Sequence, residues 1–149
     1  MPVEIIRRDG RRAFSSRNLK KIALKVLEIV ERDQAELCLV LVGNAEIRKL
    51  NDKFRKKDYP TDVLSFPVGD ELPRAVKLLG DVVISLEKAR EQAKQRGRTL
   101  NEEIVTLLIH GIVHLLGYDH ERSPKDARLM DRLEKKIYRA LCDRGILKV

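Results

Sequence analysis

The 149-residue chain is long enough to bury one hydrophobic core and short for two, so we expect a single domain over residues 1–149. Its 43% hydrophobic and 36% charged residues exclude an intrinsically disordered chain, and no apolar run approaches the ~20 residues of a membrane-spanning helix. The excess of 31 Lys and Arg over 23 Asp and Glu gives a net charge of +8, which favours a polyanionic partner such as nucleic acid over a surface that is merely cationic.

The periodicity of apolar residues predicts strands and helices along the whole chain. The continuous apolar run at residues 37–42 is typical of a strand covered on both faces, and Pro67 places its own strand at a sheet edge. In chain order the predicted elements are a short hairpin of residues 3–8 and 11–14, a helix at 16–32, a strand at 37–42, a helix at 45–54, strands at 63–68 and 78–84, and helices at 85–96, 99–116 and 124–145.

Side chains at the expected helix ends agree with these boundaries. Asn44 is a predicted N-cap, and Thr99 with Glu102 forms a predicted capping box. Ser123 and Pro124 occupy the N-cap and first position of the last helix. We therefore expect an α+β domain with a small mixed sheet of about four strands, about five helices and a central helix that carries histidines.

The three histidines of the chain lie in one segment and have the spacing of metal ligands. His110 and His114 are four residues apart, so they project from one face of a helix. Gly117 can adopt the left-handed conformation that ends a helix, which lets His120 return toward the other two. Three protein nitrogens leave the fourth position of a tetrahedral zinc ion open, which is the pattern of a catalytic site.

The residues around these histidines leave the reaction open. The spacing H-x-x-x-H-x-x-G-x-x-H is that of metzincin proteases, but Gly111 stands where those enzymes carry the general base Glu. Because Gly is unfavourable inside a helix, Gly111 indicates close approach by a backbone or a ligand. Asp119 is either a partner of a ligand, a substitute base or a simple turn residue. The polar stripe of the helix indicates a cleft; it consists of Glu103, Thr106, His110 and His114.

Cysteine chemistry does not contribute to the predicted site. Cys38 and Cys142 are isolated, with no C-x-x-C motif, so we expect neither a disulfide framework nor a thiolate metal site. Two isolated cysteines are typical of a protein from a reducing cytoplasm.

The aromatic content of the chain is low. Three Phe, three Tyr and no Trp predict no extensive stacking on nucleobases.

Three blocks of the sequence, in this order, resemble the YbeY family of metal-dependent endoribonucleases. The histidine segment at 110–120 resembles the family signature, and a block from Leu50 to Pro67 and another from Leu79 to Ser85 agree with it. The resemblance extends from about residue 39 through the last helix, while the first 35 residues resemble the family only generally.

The resemblance implies an α+β fold, a zinc ion on His110, His114 and His120, and a positively charged cleft. It also implies that Arg55 lies in this cleft and assists cleavage; its residue type suits that role, although without the resemblance a solvated charge would be the simpler interpretation. The family acts in ribosomal RNA maturation and ribosome quality control, which implies ribosomal RNA and the small ribosomal subunit as partners.

The reaction we expect is metal-assisted cleavage of single-stranded RNA. The zinc ion would activate water or polarise a phosphoryl oxygen, and Arg55 would stabilise the charge that develops on the phosphate. Two alternatives remain: an RNA-binding ribosome-assembly factor whose metal is mainly structural, and a metallohydrolase of peptides or small substrates.

Overall fold

The computed structural model describes residues 3–8, 16–67, 78–118 and 123–146. These residues form four strands and five helices, in agreement with the sequence-based prediction. The elements are β1 (Val3–Arg7), α1 (Ser16–Ile29), β2 (Glu36–Val42), α2 (Asn44–Arg55), β3 (Val63–Pro67), β4 (Leu78–Ser85), α3 (Leu86–Arg96), α4 (Leu100–Leu115) and α5 (Pro124–Asp143).

The strands form one mixed sheet in the order β1-β2-β4-β3. Strands β1, β2 and β4 are parallel, whereas β3 runs antiparallel to β4 and forms an edge, as Pro67 predicted. The described partner of β1 is β2, and the second arm of the predicted hairpin, at residues 11–14, lies outside the described residues.

Helix α4 is the centre of the fold. Ten of its 16 residues are buried, and it packs against β3, β4, α1, α3 and α5. Burying a Leu or Ile side chain contributes roughly 1.5–3 kcal/mol, so the apolar surface of α4 is a major source of stability. On the other face of the sheet, α2 packs Ile47 against Val42, Leu64 and Val83. The central strands are therefore covered on both faces, as the apolar run of β2 predicted.

The helix ends confirm two of the three predicted caps and correct one. Ser123 and the Thr99–Glu102 capping box are present as predicted, and Pro124 begins α5. Asn44 is not an N-cap: Gly43 precedes α2 at that position, and the Asn44 amide donates to Glu87 Oε1 at 2.9 Å. A carboxylate distant in sequence thus satisfies the first helical N–H.

Helix α1 is shorter than predicted. It ends at Ile29, and the chain turns at Glu31, whose φ is +61°. None of the described helices combines the length and apolar character that crossing a membrane requires.

Candidate metal and nucleic-acid site

A cleft of about 680 Å³ opens between the end of α2, the loop that follows it, strand β3 and the C-terminal half of α4. Arg55 and Lys57 line it from one side, and His110 and His114 line it from α4. The fold thus brings together three of the four predicted site residues. The fourth, His120, lies outside the described residues, as does Asp119.

The two described histidines are neighbours on α4. Their ring centroids are 4.8 Å apart, and the rings meet edge to face at 75°. Within the described ranges, no cluster of three or more His, Cys, Asp or Glu side chains could hold a metal ion. Gly117 has a φ of +103°, which confirms the predicted turn after the helix.

Glu134, which is outside the predicted ligand set, contacts His110. The distance from His110 Nδ1 to Glu134 Oε1 is 2.6 Å. Both side chains are mostly buried, with 30% of His110 and 25% of Glu134 exposed. This contact favours the tautomer in which Nδ1–H donates to the carboxylate, so Nε2 is the nitrogen suited to a metal. The sequence contained a partial signal for Glu134. It lies four residues after Met130 and three before Ile137, and this spacing places it on the face of α5 that carries these buried apolar residues.

Only half of the polar stripe on α4 opens into the cleft. At its N-terminal end Glu103 is fully buried and forms ion pairs with Arg96 at 2.9 Å and Arg98 at 3.7 Å. Thr106 donates to the carbonyl of Glu102 and lines a separate groove. The prediction of one cleft along the whole stripe is therefore wrong for Glu103 and Thr106, which contact arginine side chains.

Gly111 is explained by packing. A Cβ at this position would lie 2.6 Å from Val82 Cγ1, and Ser65 Oγ donates to the Gly111 carbonyl at 3.0 Å. The close neighbour is therefore a strand side chain and neither of the two predicted neighbours, a backbone or a ligand. A glutamate at this position, as in metzincins, would point into the sheet.

Arg55 and Lys57 flank a residue in an unusual conformation. Arg55 is the last residue of α2, and Lys56 follows it with a φ of +56°. The buried Asn51 accepts from the Lys57 amide through its backbone carbonyl at 3.3 Å. This turn directs Lys57 into the cleft beside Arg55, while Lys56 is exposed and does not line the cleft.

Asp62, which also lines the cleft, accepts hydrogen bonds through both carboxylate oxygens. Its Oδ1 accepts from the Val63 amide at 2.8 Å, and its Oδ2 accepts from Gln92 Nε2, on α3, at 3.2 Å. These contacts hold the Asp62 carboxylate in place.

The cysteines are free, as predicted. Burial raises the pKa of the Cys38 thiol, and the nearby carboxylate of Asp81 raises it further. A raised pKa leaves less of the thiolate form, which is the form that binds metals.

Comparison with known proteins agrees with the resemblance of the three blocks. The family model described as endoribonuclease YbeY matches residues 4–142. A relative from Persephonella marina, named endoribonuclease YbeY, is 45% identical over 130 residues, which are 87% of this chain and 85% of the relative. A relative of the same name from a Sulfurihydrogenibium species is 48% identical over 120 residues, covering 80% and 79% of the two chains.

A solved structure has the same fold. The solution structure of a protein from Thermotoga maritima superimposes with a TM-score of 0.66 at 30% sequence identity, over 96% of this chain and 91% of that one. The match of the family model over nearly the whole chain, together with these identities, shows that the chain belongs to the endoribonuclease YbeY family.

Proposed function

We propose that the protein is a cytoplasmic, zinc-dependent endoribonuclease that cleaves single-stranded RNA in ribosomal RNA maturation and ribosome quality control. Ribosomal RNA and the small ribosomal subunit would be its partners. The observation that carries the proposal is the cleft in which Arg55 and Lys57 meet His110 and His114. The names of the relatives and the net charge of +8 support RNA as the substrate.

His110, His114 and His120 are the proposed zinc ligands. The described donors fit such an ion, because two imidazoles on one helix face are close together and His110 is oriented by Glu134. Neutral imidazoles suit zinc, and other transition metals compete for them. The chemistry supplied by bound zinc is Lewis acidity, which activates water or polarises a phosphoryl oxygen.

The protein side chains would do the remaining work. Arg55 would bind phosphate oxygens through two N–H groups and stabilise the negative charge that grows as the phosphodiester bond breaks. Lys57 would hold the RNA backbone as a point charge. Glu134 would fix the ring orientation and tautomer of His110.

The environment of Gly111 disfavours the peptidase alternative. The position that carries the general base in metzincins faces Val82 here and has no room for a carboxylate. The other alternative is an RNA-binding assembly factor with a mainly structural metal. Substitution of a zinc-binding histidine distinguishes it from the proposed enzyme.

The test is substitution of one proposed ligand. His114→Ala should lose about one equivalent of zinc by elemental analysis and should lose cleavage of single-stranded RNA, because two ligands rarely retain the ion. Cys38→Ser and Cys142→Ser are controls that should leave zinc content unchanged. Full zinc content in His114→Ala would refute the site. Loss of folding or of RNA binding together with the zinc, in a protein whose wild type cleaves RNA only weakly, would favour the structural-metal alternative.

A further inference from the structure

Exposed aromatic rings are concentrated in the cleft. Among the described residues, the exposed large hydrophobic side chains are Phe54 at 56%, Tyr59 at 54%, Tyr118 and Leu129. Phe54 and Tyr59 both line the cleft that contains Arg55. Apolar surface that is left in water beside charged groups is typical of a binding site for a ligand with apolar faces.

The composition of the chain did not reveal this arrangement. Six aromatic Phe and Tyr residues in 149 predicted no extensive stacking, yet Phe54, Tyr59 and Phe66 all line this one cleft. The relevant quantity is the position of the rings, which the fold determines by joining the end of α2 to β3.

The backbone that carries Tyr59 is fixed on both sides of the ring. Asn51, which is 2% exposed, donates its Nδ2 to the Tyr59 carbonyl at 2.8 Å, and the Tyr59 amide donates to the Lys57 carbonyl at 2.9 Å. The preceding Asp58 accepts from Arg48 Nε at 2.8 Å. A ring on a fixed backbone loses little conformational entropy when a ligand stacks on it.

Phe54, which lines the same cleft, contacts two other side chains. Its ring meets that of Phe66 edge to face, with centroids 5.1 Å apart, and Lys53 Nζ lies 5.2 Å from its centroid. Phe54 and Tyr59 are similarly exposed, at 56% and 54%, but Phe54 already contacts Phe66 and Lys53, so we take Tyr59 as the platform for a ligand.

The charges beside Tyr59 identify the ligand. Arg55 and Lys57 line the same cleft, and the acidic Asp62 is engaged by Val63 and Gln92. A single-stranded nucleic acid offers a planar base and a phosphate in each nucleotide, which match an aromatic ring beside cations. In a duplex the base faces are covered by stacking, so they are unavailable to the ring.

We propose that Tyr59 is a nucleobase-stacking subsite: one unpaired base of the RNA stacks on its ring while adjoining phosphates contact Arg55 and Lys57. The subsite rests on the proposed function and adds to it a source of single-strand preference. Because every base has an aromatic face, the subsite selects unpaired RNA without selecting a sequence.

The experiment is a double-mutant cycle between protein and RNA. Binding of a short 2′-O-methyl oligonucleotide to the zinc-loaded protein is measured by fluorescence anisotropy, and a gel checks that the oligonucleotide stays intact. A series of oligonucleotides each lacks the base at one position. Wild-type protein should bind one abasic oligonucleotide about 10-fold more weakly, which corresponds to ~1.4 kcal/mol.

Tyr59→Ala should bind the intact oligonucleotide about 10-fold more weakly and should be insensitive to the same abasic position. Tyr59→Phe should behave as wild type, because it retains the aromatic face. Leu129→Ala, which removes an exposed apolar side chain on α5, should leave both affinities unchanged. Circular dichroism checks that each variant is folded. Tyr59→Leu keeps an apolar side chain without an aromatic face, and its binding should also be insensitive to the abasic position.

If Tyr59→Ala responds to every abasic position as wild type does, no base stacks on Tyr59 and the subsite is refuted. In that case, cleavage of the corresponding RNA by wild-type protein leaves the proposed function intact. Failure of wild-type protein to bind or cleave RNA would refute both proposals.

Discussion

Glu134 gives the clearest test of how a single residue outside the predicted ligand set acts on the site. Glu134→Gln should lower zinc affinity about 10- to 100-fold, because the amide orients and polarises the His110 ring less strongly than the carboxylate at 2.6 Å. The measurement is competition for zinc with a chromogenic chelator.

Asp131→Asn is the matched control for this change. It makes the same carboxylate-to-amide change one turn earlier on α5, where Asp131 pairs with Lys135 at 2.9 Å on the exposed surface. Its zinc affinity should equal that of wild type. Equal affinities for Glu134→Gln and Asp131→Asn would show that Glu134 does not support the metal site.

Arg55 and Lys57 should separate cleavage from binding. Arg55→Ala should keep zinc and most RNA affinity but should cleave roughly 100-fold more slowly in single-turnover assays at saturating RNA, because it removes about 3 kcal/mol of transition-state stabilisation. A wild-type rate in this variant would reduce Arg55 to another contact with the RNA backbone.

Lys57→Gln should show the opposite pattern. It should bind RNA more weakly, with a smaller dependence of log K on log salt, and should cleave at a near-normal rate once RNA saturates. Lys56→Gln removes the neighbouring charge outside the cleft and is the control for a general loss of charge. Identical salt slopes in the two variants would mean that the position of Lys57 in the cleft is irrelevant.

The turn at the end of α4 links the helix to the proposed third ligand. At Gly117 a Cβ would meet no other atom within 4 Å, so a substitution there is opposed by the φ of +103° alone. Gly117→Val should therefore lower zinc affinity by displacing the chain that leads to His120, as isothermal titration calorimetry would measure.

Gly97 provides the control at the end of another helix. It also has a positive φ, of +64°, and open space at its Cβ position, so Gly97→Val should lower thermal stability in a similar way without changing zinc affinity. Leu115→Ile should lower zinc affinity less than Gly117→Val does. If Gly117→Val and Gly97→Val have the same zinc affinity, the turn after α4 does not position a ligand.

How well an element could be predicted depended on where its determinants lie. The capping box and apolar repeat of α4 are local, so the helix and its two histidines were predicted correctly. The first N–H of α2 is satisfied by Glu87, 43 residues away, and no local pattern indicated that contact. Likewise, His110 meets Glu134 only because α5 packs on α4.

For the molecule as a whole, apolar periodicity predicted the fold class and net charge favoured a nucleic-acid partner, whereas composition did not predict the character of the cleft. The net charge of +8 is a sum over the chain, so it is the same for any arrangement of the surface. The gathering of half the aromatic residues and two cations in one cleft depends on β3 lying at the sheet edge beside α4. The architecture with a central histidine-bearing helix was predicted, and Arg55 was identified only through the family resemblance.

The burial of α4 has a consequence for exchange of backbone hydrogens with solvent. Because ten of its 16 residues are buried against most of the fold, α4 should open only when the whole core unfolds. Zinc at 100 times its dissociation constant should then slow hydrogen exchange about 100-fold, and equally, at the protected amides of α4, β2 and β4. Slowing confined to the last turn of α4 would instead mean that the histidine end opens independently. Under global opening, the proposed zinc would slow exchange at amides of the central strands as strongly as at amides beside its ligands.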